Sequence, residues 1–318
     1  MVSEAALIPA AEVGERTREY LAASKSASTV RAYRSDLADF EAWCRTHARS
    51  PLPATPETVA DYIADLAASG LKPATIGRRL AAISQVHQMA GFDSPTHSAI
   101  VRMTASGIRR ELGAAPRQAR PILAEELRAL IAALPDDLRG LRDRALLLVG
   151  FAAGMRRSEL VNLDVTDVVE EPEGLAVTIR RSKTDQEGVG RVVGIVRGSH
   201  GPLTDPVTAV REWREAAGIT EGPLFRAVDR RGRVGEQRLA DRAVALIVKR
   251  SAIRVGIDPL LVSGHSLRSG LATSASAAGA PERAIMATTG HKSEAMVRRY
   301  IRSGSKYLES ASRYLLAL

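Results

Sequence analysis

The sequence predicts a mainly α-helical protein of two domains with one small antiparallel β-sheet. Apolar residues recur at helical spacing through most of the chain. The period changes to two only between residues 175 and 196, where two strand-like segments flank a polar turn. A length of 318 residues favours two domains, each large enough to bury its own core.

The first domain is predicted to be entirely helical and to cover residues 15–113, after a flexible tail at residues 1–14. Its helices are expected at residues 29–43, 58–68, 73–90 and 96–110. Ser28 is the candidate N-cap of the first of these helices. The second is expected to begin at Thr55 or at the pair Pro56 and Glu57, and the third has Pro73 in its first turn.

Residues 114–121 are predicted to form a linker because prolines and small residues replace the apolar periodicity there. The second domain is expected at residues 122–318. Helices are predicted at residues 124–134 and 138–153, with a short one from Ser158. Strands are expected at residues 175–181 and 191–196, and helices at 205–217, at 239–255 and onward to the C-terminus.

The charge indicates a polyanionic partner. The net charge is +9, the isoelectric point is about 10.1 and arginine dominates the cations. Residues 1–118 carry 14 Lys and Arg against 12 Asp and Glu, a net of +2, which leaves +7 for the rest. Any nucleic-acid contact in the first domain must therefore come from local helix faces, which could equally be ordinary solvated faces. The candidates are Arg31, Arg34, Lys72, Arg78 and Arg79.

Other sequence features exclude several classes of protein. Cys44 is the single cysteine, so the chain can form neither an internal disulfide nor a cysteine-based zinc site. No apolar run reaches the roughly 18 residues of a membrane-spanning helix, and the N-terminus does not resemble a secretory signal. We expect a cytoplasmic protein with no membrane partner.

The stretch from Ser263 to Arg302 contains the residues most suited to chemistry. It supplies His265, Arg268, His291 and Tyr300, with almost no carboxylates between them. Such a set is unsuited to a divalent metal and suited to an anion. A phenol near cations is a candidate nucleophile toward a phosphodiester.

Two cations outside that stretch join this set, and each residue in it also has an ordinary alternative. Arg156 lies in a turn between two predicted helices, where it could merely cap carbonyls and where Arg157 competes with it. Lys183 lies in the polar turn between the strands and could be an exposed lysine. The histidines could belong to the core. Tyr300 has rivals in Tyr307 and Tyr314.

Taken together, the residues resemble the tyrosine recombinase, or lambda-integrase-like, family over nearly the whole chain. The resemblance is carried by Arg156, Lys183, His265, Arg268, His291 and Tyr300. Arg268 and His291 are 23 positions apart, and His291 and Tyr300 are 9 apart. The resemblance implies a SAM-like core-binding domain, a catalytic domain and a C-terminal helix for contacts between protomers.

The resemblance also implies a role for each residue. Arg156 and Arg268 would bind the scissile phosphate, and His291 would donate a hydrogen bond to it. Tyr300 would attack phosphorus and form a 3′-phosphotyrosine. His265 would act as the base and Lys183 would protonate the departing 5′-oxygen.

The implied function is site-specific recombination of double-stranded DNA by a synaptic tetramer, without cofactor, metal or ATP. A nicking-closing or hairpin-forming enzyme similar to type IB topoisomerases is one alternative, since it would share the catalytic residues. A non-catalytic DNA-binding protein with the same fold is another.

Overall fold

The computed structural model describes residues 14–113, 119–180, 190–291, 293–295 and 297–298, and these ranges fall into two compact units, Met1–Arg117 and Gln118–Leu318. No helix in these ranges is long and apolar enough to cross a membrane. The expected fold class is confirmed, since each unit is mainly helical and the second contains small antiparallel sheets.

The first unit is a helical bundle. Its helices are α1 (Glu15–Ala23), α2 (Ala27–Thr46), α3 (Pro56–Ala68), α4 (Pro73–Met89) and α5 (Ala99–Leu112). Helix α2 packs on α4, and α3 packs on α5, around a core that includes Phe40, Tyr62 and Ile83.

Capping side chains define where these helices begin. Thr55 caps α3 by accepting a hydrogen bond from the Thr58 amide. Thr55 is one of the two predicted starts of this helix. The predicted N-cap of α2 was wrong, because Ser26 rather than Ser28 accepts the hydrogen bond from the Thr29 amide. The fourth predicted helix is interrupted, since Pro95–His97 forms a 3₁₀ turn and Ser98 caps α5 after it.

The second unit contains seven more helices and five strands among the residues that the structure describes. Its helices are α6 (Ala124–Ala132), α7 (Leu138–Ala152), α8 (Arg157–Val161), α9 (Pro206–Ala217), α10 (Asp241–Arg254), α11 (Ser266–Ala277) and α12 (Glu282–Thr289). Its strands are β1 (Val168–Glu171), β2 (Gly174–Ile179), β3 (Arg191–Val196), β4 (Arg226–Val228) and β5 (Val234–Arg238).

The sheet of the second unit is larger than the sequence predicts. Strands β1, β2 and β3 form one antiparallel sheet in that order, with Ile179 opposite Arg191. Strands β4 and β5 form a separate antiparallel pair. The sequence missed β1, β4 and β5 because these strands are short and have few buried positions, so they lack an apolar alternation.

Helix α7 lies at the centre of this unit and positions the candidate site. Residues Ala145 to Val149 are buried on every side, and α9 and α11 pack against the helix. The chain leaves α7 through a tight turn and enters α8, and α11 lies beside that turn. The site is built where α7, α8, α11, α12 and β3 meet.

Candidate active site

Arg156 is presented by the turn between α7 and α8. Gly154 in that turn has φ +56°, and a Cβ there would lie 2.8 Å from Leu271 Cδ2 and 2.9 Å from Thr289 Cγ2. The turn can therefore pack closely against α11 and the end of α12 only with glycine at this position.

A buried carboxylate orients Arg156. The Arg156 amide donates to Glu159 Oε2 at 2.9 Å, and Arg156 Nη1 donates to Glu159 Oε1 at 2.5 Å. The Glu159 side chain is only 1% exposed, so its position is fixed by the surrounding packing. Glu159 therefore holds the Arg156 guanidinium in place while the arginine stays partly exposed.

Arg268 joins three elements at the centre of the site. It lies in the first turn of α11 and is 1% exposed. Its Nη1 donates to the Gly154 carbonyl at 2.6 Å, and its Nη2 donates to His291 Nε2 at 3.1 Å. The guanidinium thus links the α7–α8 turn to the residue that follows α12.

The hydrogen bonds of His291 define its tautomer. A guanidinium can only donate, so His291 Nε2 accepts from Arg268 and the ring proton lies on Nδ1. Nδ1 then donates to Thr289 Oγ1 at 2.7 Å, and the Thr289 hydroxyl donates to the Ile285 carbonyl at 2.6 Å. Gly290, with φ +66°, turns the chain at the end of α12 so that His291 points back toward Arg268.

Both imidazoles of the site have a lowered pKa, which favours the neutral form. Burial, together with the Arg268 and Arg156 guanidiniums, His265 and Arg191, lowers the pKa of His291 to about 4. Burial also lowers the pKa of His265, together with Arg268, Arg156 and Arg157. A neutral imidazole among cations can accept a proton when an anion arrives and offsets the positive charge.

The structure brings four of the six predicted catalytic residues together. Arg156, His265, Arg268 and His291 lie within electrostatic range of one another and form one cluster of positive charge. Lys183, Tyr300 and the C-terminal helix lie outside the described residues. Within the described ranges, no group of three or more His, Cys, Asp or Glu side chains could hold a metal ion.

The candidate DNA contacts of the first unit fall into two kinds. Arg31, Arg34 and Lys72 are exposed on α2 and at the start of α4. Arg78 forms an ion pair of 3.0 Å with the buried Asp36.

Arg79 is engaged within the first unit. It pairs with Asp39 and with Asp36, and it donates to Tyr62 Oη at 2.7 Å. This geometry favours a structural role for Arg79, whose contact with DNA stays a prediction.

Sequence reasoning missed Arg191. This residue begins β3, and its guanidinium contacts Glu159 and the end of α12. The available signal was its register, because Arg191 occupies the same alternation as the buried Val193 and Ile195. A cation at an inward-facing position of a strand needs a specific partner.

Comparisons with known proteins agree on one family. Residues 120–306 match the phage integrase family, and residues 18–91 match the SAM-like N-terminal domain of phage integrases. An integrase/recombinase xerD homolog of Selenomonas ruminantium is 41% identical over 301 residues, covering 93% of this chain and 87% of the relative. The recombinase cre of Escherichia phage P1 is 27% identical over 284 residues, covering 82% and 80%.

Solved structures show the same fold. The XerH site-specific recombinase, bound to its palindromic difH substrate after cleavage, has a TM-score of 0.66 and 17% identity, covering 94% of this chain and 83% of that one. A lambda integrase dimer bound to a COC′ core site has a TM-score of 0.60 and 18% identity, covering 90% and 93%.

Proposed function

This chain belongs to the phage integrase family, the tyrosine recombinases, and is a site-specific recombinase; we propose that it breaks and rejoins DNA through a 3′-phosphotyrosine at Tyr300. The observation that carries this proposal is the convergence of two arginines and two histidines with lowered pKa values into one cluster. Two guanidiniums and two imidazoles placed together suit a single phosphodiester.

Arg156 and Arg268 would bind the non-bridging oxygens of the scissile phosphate. Negative charge builds on these oxygens as phosphorus becomes five-coordinate, and two fixed guanidiniums stabilise it without reorganisation. The contacts of Arg156 with Glu159 and of Arg268 with Gly154 support this role, because they hold both side chains before substrate binds.

His265 and Lys183 would move the two protons. The Tyr300 oxygen forms a bond to phosphorus while the bond from phosphorus to the 5′-oxygen breaks. His265 would accept the phenolic proton, which its neutral state allows. Lys183 would donate a proton to the departing 5′-oxygen, and the reverse steps would rejoin the strand.

His291 would need a proton on Nε2 to donate a hydrogen bond to the phosphate. In the structure its Nε2 accepts from Arg268. A bound phosphate adds negative charge beside the ring and so favours the imidazolium, whose Nε2–H can donate.

The full protein would act on double-stranded DNA in the cytoplasm as a tetramer that joins two sites. In this proposal residues 15–113 form the core-binding domain, 114–121 the linker and 122–318 the catalytic domain. The C-terminal segment would dock on a neighbouring protomer. The DNA complexes of the XerH recombinase and of lambda integrase support DNA as the partner.

The test is covalent trapping of DNA. The wild-type chain is first incubated with a genomic library, and the duplexes that become covalently attached to it are sequenced. A nicked version of the recovered site then serves as the substrate. The wild-type chain should form an adduct on a denaturing gel, while Tyr300→Phe should form none and still bind DNA. Tyr307→Phe and Tyr314→Phe are matched controls that should retain the adduct. An adduct that persists in Tyr300→Phe would assign the nucleophile to another residue.

A further inference from the structure

Arg191 is a partly buried cation that contacts Glu159 and the end of α12. It is the first residue of β3, opposite Ile179, and its side chain is 22% exposed. Val193 and Ile195, two and four positions later, are buried in the core. The guanidinium is therefore enclosed on the inward-facing side of the sheet, where a charge is unfavourable unless it is hydrogen-bonded.

The guanidinium binds the last carbonyls of α12. Arg191 Nη1 donates to the carbonyls of Thr288 at 2.5 Å and Ala287 at 3.3 Å, and Nη2 donates to that of Thr289 at 3.3 Å. The final carbonyls of a helix lack partners within the helix and lie at the negative end of its dipole. Arg191 supplies both the hydrogen bonds and the positive charge that this end requires.

Gly290 makes room for this interaction. A Cβ at Gly290 would lie 2.7 Å from Arg191 Nε and 2.9 Å from Cζ. The arginine therefore occupies the volume that any other residue would fill directly before His291. The contact between Arg191 and the α12 terminus therefore directly adjoins His291.

Arg191 also reaches the carboxylate that holds Arg156. Its Nη2 lies 3.8 Å from Glu159 Oε2, while Glu159 Oε1 binds Arg156. Glu159 therefore lies between two guanidiniums. Because Arg191 Nη1 and Nη2 also bind α12 carbonyls, this one side chain connects Glu159 to the end of α12.

We propose that Arg191 is a positioning residue that sets the geometry of His291 and, through Glu159, of Arg156. The proposal rests on the function proposed above for those two residues. A lysine could not replace this arginine, because an ammonium places its charge at one point and cannot bind three carbonyls and a carboxylate at once.

The kinetic test uses Arg191→Gln and Arg191→Lys in the full chain. Formation of the covalent adduct in a single turnover should slow by about 100-fold in Arg191→Gln, since small displacements of catalytic groups have effects of that size. Adduct formation by Arg191→Lys should also be slower than in the wild type, but less so than in Arg191→Gln. The DNA affinity of both variants should change by less than about threefold.

Arg197→Gln is the matched control. Arg197 directly follows β3 and binds Glu170 and the Pro172 carbonyl at the opposite end of the strand from Arg191, so its replacement should leave the rate unchanged.

A titration of His291 tests whether Arg191 acts on this ring. Among the described residues, Arg268, Arg156, His265 and Arg191 act on His291, and together with burial they lower its pKa to about 4. In protein with ¹³C-labelled histidine, removal of the Arg191 charge should raise the pKa of His291, and Arg197→Gln should leave it unchanged. His291→Gln identifies the resonance.

These two measurements separate the possible failures. The titration needs no DNA, so it reports on Arg191 even if the wild-type chain forms no adduct, an outcome that would refute the proposed function alone. An Arg191→Gln chain with the wild-type cleavage rate would refute the positioning role. So would a slow variant in which His291 titrates as in the wild type, or one whose DNA affinity falls as much as its rate.

Discussion

Two buried histidines are each held in one tautomer by one donor and one acceptor. His87 Nε2 accepts from the Ala54 amide at 2.9 Å, so its Nδ1 carries the proton and donates to the Ile83 carbonyl at 2.8 Å. His291 has the same arrangement with Arg268 as donor and Thr289 as acceptor. In both cases burial lowers the pKa of the ring, so the folded protein favours the neutral imidazole.

We predict that His87 makes the first unit acid-sensitive. Its folded-state pKa lies below the ordinary value of 6.5, so its contribution to stability is complete above that pH and is lost as the pH falls toward the folded-state pKa. The free energy of unfolding should fall by up to about 1.4 kcal/mol per pH unit in that window. Urea unfolding of the full chain at a series of pH values, followed by tryptophan fluorescence, measures this dependence.

His87→Leu and His97→Leu are the matched variants for this experiment. His87→Leu leaves the buried Ala54 amide without its acceptor, so it should lower stability at pH 7.5 by about 1–3 kcal/mol and flatten the pH dependence. His97 is exposed, and its replacement should change neither quantity. Equal pH dependence in the wild type and His87→Leu would contradict the assignment.

Side-chain chemistry made part of the site predictable from sequence. His265 and Arg268 lie three residues apart at the start of one helix, so local spacing alone places them side by side. Arg191 could not be found in this way, because its partners are backbone carbonyls almost 100 positions later in the chain. Backbone carbonyls carry no sequence signature, and only the fold brings them to the start of β3, where Arg191 lies.

At the level of elements, the α7–α8 turn couples the core to the site. Gly154 combines a positive φ with contacts to Leu271 on α11 and Thr289 on α12, and its carbonyl accepts from Arg268. Thr289 in turn accepts from His291. A change in this turn therefore moves two catalytic elements together.

We predict that Gly154→Ala destabilises the second unit and slows cleavage. The added Cβ meets two side chains at under 3 Å in a backbone region that disfavours alanine. The expected loss is about 2–4 kcal/mol of unfolding free energy. Denaturation monitored by circular dichroism gives the stability, and the adduct assay gives the rate.

Gly194→Ala is the control within the same unit. Gly194 lies on β3 with an ordinary φ, and a Cβ there would meet nothing within 4 Å. Its replacement should change stability by no more than about 0.5 kcal/mol. If Gly154→Ala were as stable as Gly194→Ala, the close approach of α11 and α12 to the turn would not be needed.

The elements that sequence predicted well are those with a strong period and a defined start. Helix α4 begins at Pro73 as expected, and β3 spans the predicted residues 191–196. Helix α2 begins two residues early because Ser26 and Ser28 are both good caps, and the Ser26 hydroxyl contacts both Ser28 and Thr29. The β4–β5 pair packs only Val228 and Val234 against the core, too few apolar positions for an alternation, so its sequence resembles a loop.

At the level of the whole molecule, positive charge is concentrated in the second unit. The second unit carries most of the net charge of +9, while the first unit is nearly neutral and holds several arginines in internal ion pairs. Binding to DNA would then combine the field of the second unit with a few exposed cations of the first.

We predict that DNA affinity falls steeply with salt and that single cations contribute separable parts of this dependence. The logarithm of the association constant should fall linearly with the logarithm of salt concentration, with a slope of about −0.9 for each phosphate that is neutralised. Arg31→Ala and Lys72→Ala should each reduce the slope by about 1, since both side chains are exposed.

Arg79→Gln should instead leave the slope unchanged and lower the stability of the first unit, because the buried Asp36 and the Tyr62 hydroxyl lose a partner. Fluorescence anisotropy between 50 and 300 mM salt, roughly the range in which counterion release dominates, would decide. A reduced slope in Arg79→Gln with unchanged stability would show that Arg79 contacts DNA and that its ion pairs are secondary.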